Sequence, residues 1–137
     1  AAASSREAFF ESADVLTLHL PLNADTRGIV KAEDLARMKP TALFVNTSRS
    51  GLVGDAVLAD ALGKGRPGFA AVDVFDEEPV LGGAHPLLQM KNVVATPHLG
   101  YVARENYESY YGTAIEQIVA FASGKPINVA NPEVLKK

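Results

Sequence analysis

The sequence predicts an α/β protein built on a parallel sheet, and three observations carry that prediction. Apolar runs of strand length recur along the chain, they alternate with stretches of helical periodicity, and each run is apolar nearly throughout instead of at every second residue. A continuously apolar strand is one buried on both sides, the setting of a parallel sheet covered by helices on each face.

The elements follow in order. Arg6 to Ala13 brings Phe9, Phe10 and Ala13 near one helical face, with Ser4 or Ser5 available as the N-cap. Asp14 to Leu20 is a β-rich apolar run that Pro21 stops. A polar loop, Asn23 to Gly28, leads to a helical stretch from Lys31 to Met38 and then to a second strand, Ala42 to Asn46. Val57, Leu58, Ala61 and Leu62 repeat at helical spacing within Asp55 to Leu62, and Gly63 follows as the residue that ends the helix. Phe69 to Val74 and Asn92 to Thr96 are the third and fourth strands, separated by a Pro- and Gly-containing loop from Glu77 to Gln89. Val102 to Ser123 places Tyr107, Tyr111, Ala114, Ile115, Ile118 and Ala122 on one stripe of a long helix, which stops at Gly124 with Pro126 beyond. The tail from Lys125 to Lys137 reads as extended.

Composition narrows the function. At 137 residues with 47% apolar and 21% charged side chains, the chain is ordinary globular protein and long enough for one domain with a core. A net charge of -3 and the absence of any Lys/Arg run argue against a nucleic-acid partner. Without Cys there is neither a disulfide framework nor a thiolate metal site. No stretch approaches the roughly 20 apolar residues of a membrane span, and the first residues lack a signal-peptide pattern, so a soluble cytoplasmic protein is expected.

Ligands of an open parallel sheet sit outside the carboxyl ends of its strands. The first strand ends in His19, Leu20 and Pro21, and the second in Asn46-Thr47-Ser48-Arg49. The third runs through Asp73 into Phe75-Asp-Glu-Glu-Pro79, and the fourth delivers Pro97-His98-Leu99-Gly100. A cation, several carboxylates and an imidazole therefore converge on one rim.

In these pieces the chain resembles the D-isomer-specific 2-hydroxyacid dehydrogenases. The matching motifs are Leu18-His-Leu-Pro-Leu22 with Thr26; Leu43-Phe-Val-Asn-Thr-Ser-Arg49 with Gly51 and Val53; Val72-Asp-Val-Phe-Asp-Glu-Glu-Pro79; Thr96-Pro-His-Leu-Gly100; and a closing helix followed by Gly124-Lys-Pro126 and Asn131-Pro132. They stand in the family's order and at its approximate spacing over nearly the whole chain. The resemblance implies the second half of a Rossmann-type coenzyme domain over residues 1–100, with 101–137 a closing helix and tail leading back to a substrate domain. It implies hydride transfer between NAD or NADP and a small D-2-hydroxy or 2-oxo acid, in a full-length protein that forms a homodimer. It makes Arg49 the holder of the substrate carboxylate and 2-oxo group, His98 the general acid/base and Glu78 its orienting partner. Asp73 resembles the acceptor for the nicotinamide carboxamide. Leu20, Pro21, Thr26, Thr47, Ser48, Arg49, His98 and Gly100 match further positions of the cofactor cleft. The chemistry agrees: an imidazole titrates in the useful range, a carboxylate on its other nitrogen fixes the tautomer, and a guanidinium matches a planar carboxylate.

The chain departs from the family pattern at Ser50, where Gly is usual, and at Gly54, where an Asp normally opens the next helix; Asp55 or Gly54 itself then caps it. The family's pyrophosphate fingerprint and the acidic residue that reads the ribose lie ahead of the matched segment, so the chain by itself is expected to bind NAD weakly or not at all. Gly63-Lys-Gly-Arg-Pro-Gly68 fits the dinucleotide fingerprint letter for letter, but it follows a helix and precedes a strand, the reverse of the required context. His85 reads as a loop residue, His19 as a cleft residue without chemistry, and Tyr107, Tyr110 and Tyr111 as helix packing. Two other functions compete. One is an NAD(H)-sensing corepressor or binding module on the same scaffold, which shares the resemblance at Arg49, Glu78 and His98. The other, a metal hydrolase using His19, His98 and Asp73, lacks any ligand pair at local metal spacing.

Overall fold

The computed structural model describes residues 2–135, which divide after Gly100 into two compact units. The first holds α1 (Arg6–Ser12), β1 (Val15–Leu18), α2 (Ala32–Arg37), β2 (Leu43–Asn46), α3 (Asp55–Gly63), β3 (Phe69–Val72) and β4 (Val93–Ala95), with 3-10 turns at Ser50–Leu52 and Pro86–Gln89. The second holds α4 (Arg104–Ala122) and a 3-10 turn at Pro132–Leu135, where an extended tail was expected.

Each element has a local cause. Ser5 accepts the Ala8 N–H and starts α1. Asp34 returns its carboxylate to the Lys31 N–H at the head of α2, and Arg6 of α1 grips the same carboxylate through Nε at 2.8 Å. Burial pulls the Asp34 carboxyl up, but Arg6 and the Lys31 N–H more than reverse this and leave it below the ordinary aspartate range. The departure at Gly54 resolves in favour of the glycine. Gly54 caps α3 at φ 84°, a conformation that costs a side-chain-bearing residue.

The strands are parallel and lie in chain order, β1-β2-β3-β4. Register aligns Leu16, Phe44, Ala70 and Val93 in one row and Leu18, Asn46, Val72 and Ala95 in the next. Both rows face a core formed with Phe10, Leu35, Met38, Leu58 and Leu62 from the helical side. Within this unit the helices cover one face only, where both were expected. On the opposite face Val15 is 61% exposed, Phe69 52% and Val94 67%. The reason is topological: right-handed crossovers between strands laid down in one direction put every crossover on the same face, and covering the other requires strands wound the opposite way from a switch point.

The second unit is the long helix expected. No residue of α4 is buried; Tyr111, Ile115 and Ile118 of its apolar stripe are exposed. Tyr107 and Tyr111 stack on each other, with ring centroids 5.4 Å apart.

Candidate active site

The polar end of the sheet is assembled from the residues that follow β2, β3 and β4. Asn46 is the polar member of an otherwise apolar row, and its buried side chain is bonded at both ends. Its Nδ2 donates to the Arg49 carbonyl at 2.9 Å and its Oδ1 accepts the Ser48 N–H at 3.1 Å, folding residues 46–49 into a turn that projects Arg49 from the strand end. Ser48 Oγ donates to the Leu20 carbonyl at 2.7 Å and ties this turn to the end of β1. Ser50 begins a 3-10 turn without left-handed φ, so a side chain is tolerated where the family usually has Gly.

Asp73 follows β3 and is buried. Its Oδ1 accepts the Thr96 hydroxyl at 2.5 Å and the Leu99 N–H at 2.7 Å, and its Oδ2 accepts the Gly100 N–H at 2.7 Å. These bonds hold the turn after β4, in which His98 takes a left-handed φ of 56°, a conformation that costs a non-glycine residue and persists where its surroundings enforce it. Burial pulls the Asp73 carboxyl up, but the three donors and the charge of His98 leave it below the ordinary range.

The turn aims His98 at Glu78. The His98 Nδ1 and Glu78 Oε2 lie 2.6 Å apart, each side chain 33% exposed. Glu78 Oε1 accepts the Phe75 N–H at 2.8 Å, so both carboxylate oxygens are held. Burial raises the Glu78 carboxyl; the His98 and Phe75 bonds and the charges of His98 and Arg49 outweigh it, and the group ionises below the usual glutamate range. Arg49 is exposed, with Nη1 donating to the Ser48 carbonyl at 2.6 Å, and its charge reaches Glu78. It comes from β2 while His98 comes from β4, with β3 between them, a separation of about 10 Å between strand axes. A cavity of about 230 Å³ opens beside Glu78 and His98, lined chiefly by apolar residues such as Phe75, Val80 and Leu88.

The other expected residues are distributed as follows. Leu20, Pro21, Thr47 and Gly100 are exposed at strand ends. Thr26 is engaged within its own loop, donating to the Pro21 carbonyl at 2.6 Å and accepting the Asn23 N–H at 2.9 Å. His19 Nε2 lies 3.0 Å from Thr17 Oγ1. Among the described residues no group of three His, Asp or Glu side chains is placed to hold a metal ion, and no helix is long and apolar enough to cross a membrane. Sequence reasoning missed Asn46, whose signal was a polar residue ending an apolar strand. His85 is the loop residue expected, but its pairing with Asp55 was not foreseen.

The fingerprint-like run has no free backbone N–H to offer a phosphate at its centre. The N–H groups of Lys64, Gly65 and Arg66 go to carbonyls of the last turn of α3, and Pro67 has none. Gly68 is required for a different reason: a Cβ there would stand 1.8 Å from the Pro40 carbonyl oxygen.

Residues 1–100 match the family described as D-isomer specific 2-hydroxyacid dehydrogenase, NAD binding domain. The chain belongs to this family. It is 44% identical over 133 residues to a glyoxylate reductase of Aeropyrum pernix, covering 96% of this chain and 39% of that protein. A Ralstonia solanacearum crystal structure described as a D-3-phosphoglycerate dehydrogenase oxidoreductase is similar with a TM-score of 0.85 and 55% identity, over 95% of this chain and 38% of that one. A phosphoglycerate oxidoreductase from Vibrio cholerae gives 0.81 and 49%, over 89% and 39%. The chain thus spans about two-fifths of the length of the relatives it matches, and its fold is their Rossmann-type NAD binding domain in part.

Proposed function

We propose that this chain supplies the catalytic half of the coenzyme domain of an NAD- or NADP-dependent D-2-hydroxyacid dehydrogenase acting on a small 2-hydroxy or 2-oxo acid. The observation that carries the reading is the 2.6 Å contact between His98 and Glu78 on the rim that also bears Arg49.

The residues fit a nicotinamide group. A carboxylate offers about four acceptor positions, and Asp73 uses three of them on Thr96, Leu99 and Gly100; the fourth suits a carboxamide N–H. Leu20, Pro21, Thr26, Thr47, Ser48 and Gly100 would line the rest of the cleft. When bound, the nicotinamide supplies the hydride acceptor for oxidation or the donor for reduction. The chain's own residues do the remainder. Arg49 binds the substrate carboxylate through its planar fork and orients the oxygen at C2. With Nδ1 bonded to Glu78, the proton exchanged with that oxygen travels on His98 Nε2, and Glu78 fixes the tautomer and favours the imidazolium formed on oxidation. The carboxyl of Glu78, held below its ordinary range, stays ionised at neutral pH as this role requires.

Residues 1–100 then carry the catalytic groups and 101–137 lead back to a substrate domain, in a cytoplasmic homodimer. Steady-state assay of the full-length protein with NADH or NADPH and glyoxylate, hydroxypyruvate or pyruvate tests the reading. Turnover of at least one 2-oxo acid is expected; no turnover of any would transfer the site to a cofactor-sensing module.

A further inference from the structure

The molecule holds a second carboxylate–imidazole pair, set below the rim at the head of α3. His85 Nε2 and Asp55 Oδ2 lie 2.9 Å apart, with side chains only 16% and 10% exposed. The Leu87 N–H donates to His85 Nδ1 at 3.3 Å, which leaves the ring proton on Nε2 and directs it to Asp55. Asp55 opens α3, yet its carboxylate serves no N–H of that helix among the bonds formed. Oδ2 instead also accepts the Asp76 N–H at 2.7 Å, while the Asp55 N–H donates to Asp76 Oδ2 at 2.9 Å. The ring of Phe75 meets the His85 ring edge-on, with centroids 5.1 Å apart at 76°. Asp76 is thereby clasped to the head of α3 by two reciprocal bonds from backbone N–H to side-chain carboxylate, and Phe75 is held to His85 by one ring contact.

That clasp stands two residues ahead of Glu78. The N–H holding Glu78 Oε1 belongs to Phe75, the residue whose ring packs on His85. Moving Phe75 therefore moves the anchor of one Glu78 oxygen and turns the other away from His98. We propose that Asp55 and His85 are positioning residues, fixing the segment from Phe75 to Glu78 so that Glu78 presents Oε2 to the His98 ring. Burial pushes the Asp55 carboxyl up, against the Asp76 N–H and His85 bonds that lower it, so the His85 donor offsets a buried carboxylate that also faces the carboxylate of Asp76. The alternative is that the pair merely anchors a loop, in which case its loss leaves the geometry at Glu78 intact.

The proposal rests on Glu78 and His98 being the acid–base pair, but its test reads the pair directly and needs no turnover. Carbon-13 NMR titration of the side-chain carboxyls in the full-length protein follows Glu78, with Asp34 as an internal control for folding, since both lie below their ordinary ranges in the native protein. In Asp55→Ala and in His85→Phe, which keeps a ring against Phe75 but no donor, the Glu78 titration should rise into the ordinary glutamate range while Asp34 stays low. In Asp55→Asn, which keeps an acceptor oxygen, and His85→Gln, which keeps a donor, Glu78 should stay low. Glu78 unmoved in Asp55→Ala and His85→Phe would overturn the proposal. So would loss of the low Asp34 titration in both, which marks a folding element only, or failure of the conservative variants to preserve Glu78.

Discussion

Glu78 with His98 and Asp55 with His85 are the same chemical pair in two settings. The first lies on the rim with a third of each side chain in water, and its carboxyl is lowered; the second lies at the head of α3, withdrawn from solvent, and its carboxyl is raised. Contact alone does not separate them, since both are within hydrogen-bond distance. The surroundings do. Both accept a backbone N–H and an imidazole, but Glu78 also feels the Arg49 guanidinium, whereas Asp55 is more deeply buried and faces a second carboxylate. Proton transfer requires the imidazole to reach a substrate, so the rim pair suits chemistry and the buried pair suits architecture.

The largest effect that would break this contrast is on turnover. His98→Gln in the full-length protein should cut kcat by about 10²- to 10⁴-fold with cofactor still bound, read by steady-state kinetics alongside a cofactor fluorescence titration; an unchanged kcat removes His98 from the chemistry. Arg49→Lys keeps the charge and loses the fork, and should lower kcat/KM by roughly 10- to 100-fold through both parameters. Asp73→Asn places an amide donor against backbone N–H groups in a buried site, and should cost about 1–3 kcal/mol in urea unfolding.

A pH series sharpens the comparison. The folded Glu78 carboxyl lies below its unfolded value, so its contribution to stability is present above that value and is lost as pH falls through the folded one. The folded Asp55 carboxyl lies above its unfolded value, so its contribution is present below that value and is lost as pH rises through the folded one. Glu78→Gln should therefore be less stable than the native protein at pH 7, with the difference shrinking as pH falls below the ordinary glutamate range. Asp55→Asn should be as stable or more so at pH 7, with no gain in acid. Gly65→Ala gives the smallest effect of all on function. At φ 80° it should cost about 1 kcal/mol of stability and leave cofactor affinity in the full-length protein unchanged.

The rim was legible in the sequence because polar residues there interrupt apolar strands, and the interruption marks where each strand leaves the core. Arg49, Asp73 and His98 each stand just past such a run. The one-sided helical cover was not legible, because a strand buried on one face and half-exposed on the other has the same apolar letters as one buried on both. The pairing of His85 was missed for another reason: its partner Asp55 is 30 residues away, and no local spacing encodes that meeting. The glycine run at 63–68 was placed correctly by its context, and the consumed N–H groups give the physical ground for it.

For this chemistry Arg49 and His98 must address one small anion together. A structure of the full-length protein with NADH and oxamate, an unreactive mimic of a 2-oxo acid, tests this directly. The expected result has the oxamate carboxylate on the Arg49 guanidinium and its amide oxygen within hydrogen-bond distance of His98 Nε2; oxamate bound to one of these residues without the other, or elsewhere, would contradict it.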